Sequence, residues 1–192
     1  MGSFLSNKSK LKRYLGFLTE FGEFRFKRWL DENAYEFLEE VGVCSGQIVL
    51  DFGCGSGTYT IPAARIVGEF GLVYALDASR SALDRVEEKA KREGLGNIVR
   101  IEEGEFSLRL RDASVDHVLL IDVLHEIDDK EGVFDRIYRV LKPDGDVIVY
   151  PMHMDEEDVV KLVLNKSFTL KEKKLDGHIL VFKKLHARES DG

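Results

Sequence analysis

The sequence predicts an α/β fold in which a mostly parallel sheet is covered by helices on both faces and extended at one edge by an antiparallel hairpin. Three observations predict it. From about residue 48 onward, short β-branched runs alternate with amphipathic helical stretches, the rhythm of a parallel sheet. Four successive runs are followed, at or soon after their carboxyl ends, by an acid: Asp51, Asp77, Glu105 and Asp122. Residues 169–185 read as two strands joined at Asp176-Gly177, a turn signal, which supplies the antiparallel edge.

Each element has a local reason. Residues 11–41 read as helices, with Leu11, Tyr14, Leu18 and Phe21 at helical spacing, a second stretch through Trp29 to Leu38, and Gly42 as the stop. Ile48-Val49-Leu50 is the first strand and runs into Asp51 and a glycine cluster. A helix over 58–67 follows, with Pro62 tolerable only near its first turn. Leu72 to Leu76 is the second strand. Ser79 caps a helix whose Leu83, Val86 and Ala90 share a face and whose stop is Gly94. Residues 98–101 form a third strand and 115–121 a fourth. A helix over 131–141 ends before Pro143-Asp144-Gly145, taken as a turn, and 147–150 form a fifth strand. The acidic run Asp155-Glu156-Glu157-Asp158 suits the first turn of a further helix. The expected organisation is a helical arm over 1–45, one ligand-binding domain over 46–186 and a tail over 187–192.

Bulk properties narrow the function. The 192 residues suit one domain with a sizeable core, and 44% hydrophobic content argues for a packed fold. The formal net charge of −7 argues against a protein that works by gripping phosphate backbones, so no nucleic-acid partner is expected. Charge is uneven: residues 1–30 hold seven basic and two acidic groups, +5 locally, leaving −12 for the rest. The two cysteines, Cys44 and Cys54, fit a reducing, cytoplasmic setting, because Cys54 sits in a glycine loop ill-suited to a disulfide. No apolar run approaches the roughly 20 residues of a membrane span, and the start lacks the apolar stretch of a signal peptide, so stable membrane insertion is not expected.

The chemistry concentrates at the strand ends, where open α/β sheets bind ligands. Asp51-Phe52-Gly53-Cys54-Gly55-Ser56-Gly57 lies between a strand and a helix, and Asp77-Ala78 ends the next strand. That context points to a nucleotide-like ligand, although a lone G-x-G-x-G often marks only a tight turn. A dinucleotide fingerprint needs a third small residue, and that position falls on Thr58 or Thr60 depending on register. No Lys-Ser/Thr follows the glycines, so a phosphate-binding loop of the Walker type is absent.

Val49 to Gly57 resembles the first motif of the class I, Rossmann-like S-adenosylmethionine-dependent methyltransferases. Gly104-Glu105-Phe106, Val115 to Ile127, and Arg139-Val140-Leu141-Lys142-Pro143-Asp144-Gly145 resemble later motifs of that family, in its order, from about residue 34 to 184. The resemblance implies a seven-stranded sheet of order 3-2-1-4-5-7-6 and S-adenosylmethionine as cofactor. It places Asp51, Gly53, Cys54, Gly55 and Gly57 in the cofactor loop, Asp77 on the ribose hydroxyls with Ala78 beside it, Glu105 on the adenine amino group, the Phe106 amide on the ring, and Asp122 at the end of strand four. Glu105 departs from the family's usual Asp and Asp144 from its usual Gly. Among subfamilies the chain is most similar to the small-molecule branch that includes quinone-biosynthesis enzymes.

In-line transfer of a methyl from a sulfonium demands positioning more than a catalytic side chain. His125 and Glu126, after strand four, and His153, after strand five, are the candidates if the acceptor must lose a proton. His125 can equally be read as packing at the start of its helix. No metal is expected, because the Asp-Asn pair of the magnesium-dependent catechol type does not follow strand five. The Asn-Pro-Pro-Tyr signature of amino methyltransferases for DNA and protein glutamine and the Pro-Cys nucleophile of cytosine-C5 enzymes are missing, and two cysteines are too few for arsenite methylation. The expected acceptor is a small molecule. A nicotinamide oxidoreductase and a non-catalytic cofactor-binding protein are the alternatives. The basic, aromatic arm over about 10–30, with Tyr14, Phe17, Phe21, Phe24 and Trp29, is expected to close over the acceptor site as a lid; a static helix packed on the core and a membrane-surface helix are the alternatives.

Overall fold

The computed structural model describes residues 22–185. The helical face carried by Leu11, Tyr14, Leu18 and Phe21, most of the aromatic arm, and the tail over 187–192 lie outside the described residues. Contacts divide the chain into two units, Met1–Ala34 and Tyr35–Gly192. In the described part of the smaller unit, residues 22–32 form helix α1. Lys27–Asp31 at 2.6 Å and Arg28–Glu32 at 2.9 Å are spaced one turn apart along it. The Asn33 side-chain amide donates to the Trp29 carbonyl at 2.7 Å and closes the last turn.

In the larger unit, α2 (Ala34–Glu40) buries Phe37 and Leu38, and the following Val41 and Val43 are buried too. Residues 35–45, read from sequence as the end of the arm, therefore belong to the body of the domain. Seven strands follow in one sheet: β1 Ile48–Phe52, β2 Leu72–Asp77, β3 Ile98–Glu102, β4 Val115–Ile121, β5 Leu141–Tyr150, β6 Phe168–Lys174 and β7 Ile179–Lys184. Their order is β3-β2-β1-β4-β5-β7-β6. The first five are parallel, and β7 runs antiparallel to both β5 and β6. Sequence order reverses between β1 and β4, so the switch point lies between them.

Helices cover the sheet. They are α3 (Thr60–Val67), α4 (Arg80–Glu93), the single turn α5 (Phe106–Arg109), α6 (Lys130–Val140) and α7 (Glu156–Leu164). Covering both faces is why β4 is buried almost without interruption and shows no polar alternation. Capping follows the sequence: the Ser79 hydroxyl accepts from the Ala82 amide, Gly94 takes the left-handed turn after α4, and Asp129 and Asp155 accept from Gly132 and Glu157 at the starts of α6 and α7.

One element differs in kind. Pro143-Asp144-Gly145 is not a turn before β5 but part of it. Val115 pairs with Leu141 and His117 with Asp146, so three extra residues bulge from β5 while the pairing resumes on either side. Gly145 is pressed there against the Asp116 carbonyl: a Cβ would stand 2.8 Å from that oxygen.

Candidate functional site

The loop after β1 is tied to the end of β2 by its own backbone. The amides of Gly53 and Cys54 both donate to the Leu76 carbonyl, at 2.8 and 3.0 Å, and Gly57 donates to Cys54 at 2.9 Å. The Gly55 amide donates to Oδ2 of Asp77 at 2.8 Å, while Oδ1 of Asp77 accepts from Ser79 at 2.7 Å. Four loop amides are thus engaged within the protein. Gly53 is forced by close approach, since a Cβ would stand 2.2 Å from Val123 Cγ2. At Gly55, with φ +51°, a Cβ would meet nothing within 4 Å, because it would enter open space.

That space is a cavity of about 490 Å³ at the carboxyl ends of β1, β2 and β4, within the usual range of small-ligand sites. Of the sequence candidates, Gly53, Gly55, Asp77, Ala78, Asp122 and Glu126 line it. Asp51 lies behind the loop, 2% exposed, and accepts a 2.5 Å hydrogen bond from the Thr60 hydroxyl. Burial raises its carboxyl to a pKa of about 6; the Thr60 bond opposes the shift and the Asp77 charge adds to it. The Cys54 thiol is buried and its pKa is pushed up, mainly by desolvation, which makes it unreactive. Gly57 packs against Val86 and Ile61.

The step after β3 places Glu105 and Phe106 outside the cavity lining. Glu105 pairs with Arg109 at 3.1 Å and lines a separate depression with Arg80 and Arg100. Phe106 is 1% exposed, edge-on to Phe52 with ring centroids 5.7 Å apart. The acid that lines the cavity is Glu103, joined from α6 by Arg136, whose guanidinium lies 5.6 Å over the Phe106 ring. Sequence reasoning missed both. β3 runs one residue further than the sequence reading, to Glu102, and the next acid, Glu103, stands at the cavity.

A second group stands at the ends of β4 and β5. Oδ1 of Asp122 is 3.7 Å from Nδ1 of His125 and 4.0 Å from Nε2 of His153. Nε2 of His125 is 3.7 Å from Glu126, and the two imidazoles meet edge-on with centroids 4.9 Å apart. Asp122 and His153 both hold left-handed backbone, with φ +57° and +66°. The structure therefore brings together all three residues named as possible bases. His117 lies apart, within β4, and His178 follows the turn after β6.

Comparison with known proteins bears on this arrangement. The methyltransferase-domain family profile matches residues 50–149, from β1 into β5. The chain belongs to the class I S-adenosylmethionine-dependent methyltransferase family. It is 32% identical over 136 residues to a demethylmenaquinone methyltransferase of Lactobacillus johnsonii, covering 70% of this chain and 56% of that protein. It is 36% identical over 109 residues to the ubiquinone/menaquinone biosynthesis C-methyltransferase UbiE of Klebsiella pneumoniae, covering 56% and 43%. The chain thus spans about half the length of these curated relatives. In fold it is similar to an S-adenosylmethionine-dependent methyltransferase from Aquifex aeolicus, with TM-score 0.69, 23% identity, and coverage of 80% of this chain and 90% of that one. It is equally similar in fold to the [4+2]-cyclase SpnF, with TM-score 0.69, 16% identity, and 82% and 81% covered. The cofactor of the family is S-adenosylmethionine, and the cavity fits it. Gly55 leaves room for close approach, and Asp77 has two carboxylate oxygens with about four acceptor sites, of which the two amides take two.

Proposed function

We propose that this domain transfers a methyl group from S-adenosylmethionine to a small-molecule acceptor. The observation that carries the reading is the Asp77 carboxylate, latched to the Gly55 amide, facing an open cavity at the switch point of the sheet. When bound, the sulfonium supplies an already activated methyl, which passes to the acceptor by in-line displacement. The protein's part is position. The two remaining acceptor sites of Asp77 suit a pair of ribose hydroxyls. Glu103 replaces Glu105 as the acid facing the nucleoside, and Ala78 leaves space beside it. His125, Glu126 and His153 stand at the acceptor end, beyond Asp122. No helix among the described residues is long and apolar enough to cross a membrane. The names of the relatives make demethylmenaquinone the first acceptor to assay.

Calorimetry on the full chain tests the cofactor. S-adenosylmethionine and S-adenosylhomocysteine are expected to bind in the micromolar range, roughly −7 to −8 kcal/mol, and NADH far more weakly. Tight NADH binding with no response to either sulfur nucleoside overturns the reading. A metabolite extract with methyl-labelled cofactor then identifies the acceptor by the compound that takes up label. Cofactor binding without transfer to any compound would favour the non-catalytic alternative.

A further inference from the structure

At the ends of β4 and β5 one carboxylate faces two imidazoles: Asp122 Oδ1 stands 3.7 Å from a nitrogen of His125 and 4.0 Å from a nitrogen of His153. One donor atom from each of the three side chains lies within 4.8 Å of the others. Around a divalent ion with bonds of about 2.0–2.2 Å, neighbouring donors stand roughly 3.0–3.4 Å apart. Both measured pairs are within about 1 Å of that spacing, a difference that small side-chain rotations close.

We propose that Asp122, His125 and His153 form a binding site for one borderline divalent transition-metal ion, of the zinc, cobalt or iron(II) class, with open coordination positions toward the cavity. The donor set decides the class. Two imidazoles and one carboxylate suit these ions, whereas magnesium and calcium take oxygen ligands almost alone. The missing Asp-Asn pair, on which the expectation of no metal rested, excludes only a site of that oxygen-rich kind.

Three further observations support the site. Asp122 and His153 occupy left-handed backbone, a conformation enriched at functional positions. The second nitrogen of His125 is 3.7 Å from Glu126, whose side chain is 72% exposed and able to swing in. Metal-bound imidazoles usually give their other N–H to such a carboxylate, so Glu126 is a positioning residue for His125. The side chains of His125 and His153 are also 29% and 44% exposed, so the open positions are reachable by water or by an oxygen of a small molecule. That the ion faces the acceptor rests on the proposed function; that it binds does not.

The test uses the full chain stripped with chelator and titrated with Zn²⁺ and with Co²⁺, followed by calorimetry and by the visible absorption of Co²⁺. One ion per chain is expected, with a micromolar or tighter dissociation constant and Co²⁺ bands showing mixed nitrogen and oxygen ligation. His125→Ala and His153→Ala are each expected to weaken binding at least thirtyfold, and Glu126→Gln about tenfold. His178→Ala, outside the group, should leave it unchanged. Where an alanine variant melts early, His153→Gln removes the ligand with less lost packing. Binding no tighter than millimolar, or equal binding by wild type and both histidine variants, overturns the proposal. S-adenosylhomocysteine titrations of the same samples separate the two readings. Metal binding without nucleoside binding sinks the methyltransferase proposal alone, and the converse sinks the metal site alone.

Discussion

The two ends of the sheet treat their acids in opposite ways. At the amino-terminal ends of the strands, acids are met by lysines. Asp116 on β4 accepts from the Ile48 amide and from Lys142, both at 2.8 Å, and Asp146 on β5 stands 3.1 Å from Lys171 and 3.7 Å from Lys183. At the carboxyl ends, Asp77 is met by two backbone amides and Asp51 by a hydroxyl, while Asp122 stands among imidazoles. Lysine partners cancel charge and fix strands. Backbone amides hold the Asp77 carboxylate in place without cancelling its charge, and Asp77 lines the cavity, where a sulfonium or an ammonium can use that charge. The comparison teaches that the partner, more than the acid, separates an acid that builds the sheet from one that serves it.

Exchanging acids for alanine is the strongest way to break that comparison. Asp77→Ala removes two proposed hydrogen bonds to the cofactor at about 1.5–3 kcal/mol each. S-adenosylhomocysteine affinity is expected to fall by at least about 3 kcal/mol, roughly a hundredfold, in calorimetry. Asp116→Ala should lower the melting temperature and leave the affinity unchanged. Equal loss of affinity in both would erase the distinction between the two ends.

Asp51 sharpens it through pH. Its folded pKa of about 6 lies above the unfolded value of about 3.8, so the folded state holds this proton more tightly. Its contribution to stability is therefore complete below pH 3.8 and is lost as pH rises through 6. Asp51→Asn copies the neutral carboxyl and escapes that loss. Urea unfolding is expected to show the variant more stable at pH 8, by no more than about 3 kcal/mol, with the two proteins converging below pH 4. A variant less stable than wild type at pH 8 would show that the ionised acid is needed by the loop.

The glycines give a smaller contrast. A Cβ on Gly71, at the amino end of β2, would stand 2.4 Å from Val67 Cβ and 2.6 Å from the Gln47 carbonyl. Gly71→Ala is expected to cost about 2 kcal/mol of stability and nothing specific in cofactor affinity. At Gly55 the order reverses. The left-handed backbone costs about 1 kcal/mol with alanine, while the new methyl occupies cavity space and should weaken S-adenosylhomocysteine at least tenfold. Thermal melts and calorimetry on the two variants read both quantities.

How much of this was legible in the sequence follows from how local each cause is. β4 was readable to its last residue because seven successive positions and the acid after them sit in one stretch. Ser79 and Gly94 were readable because a cap acts within a few residues. The bulge in β5 was not, since Pro143-Asp144-Gly145 carries turn chemistry and only the pairing with β4 holds it in the sheet. That Glu103 lines the cavity and Glu105 does not turned on one residue of strand length, finer than periodicity resolves. His125 and His153 were each named, yet their approach to one carboxylate depends on β4 and β5 being neighbours with those strand ends level. Long-range register made that site, and no local pattern announces it.

The smallest expected effect concerns His117, in β4 beside Asp116. Its imidazole is 6% exposed, and burial lowers its pKa below the ordinary value, with the charges of Asp146 and Asp116 working the other way and Lys171 adding to the lowering. A lowered folded pKa means that the unfolded chain binds the proton more tightly. The stability His117 contributes is thus complete above about pH 6.5 and declines as pH falls toward its folded pKa. That slope has the opposite sign to the slope from Asp51, so in wild type the two partly cancel where they overlap, below about pH 6. His117→Gln, which cannot titrate, should remove the decline at low pH and expose the Asp51 slope, and Asp51→Asn should expose the His117 slope. Unfolding curves of the two single variants and the double variant, taken from pH 4 to 8, separate them. A double variant as pH-dependent as wild type across that window would show that other groups set the profile.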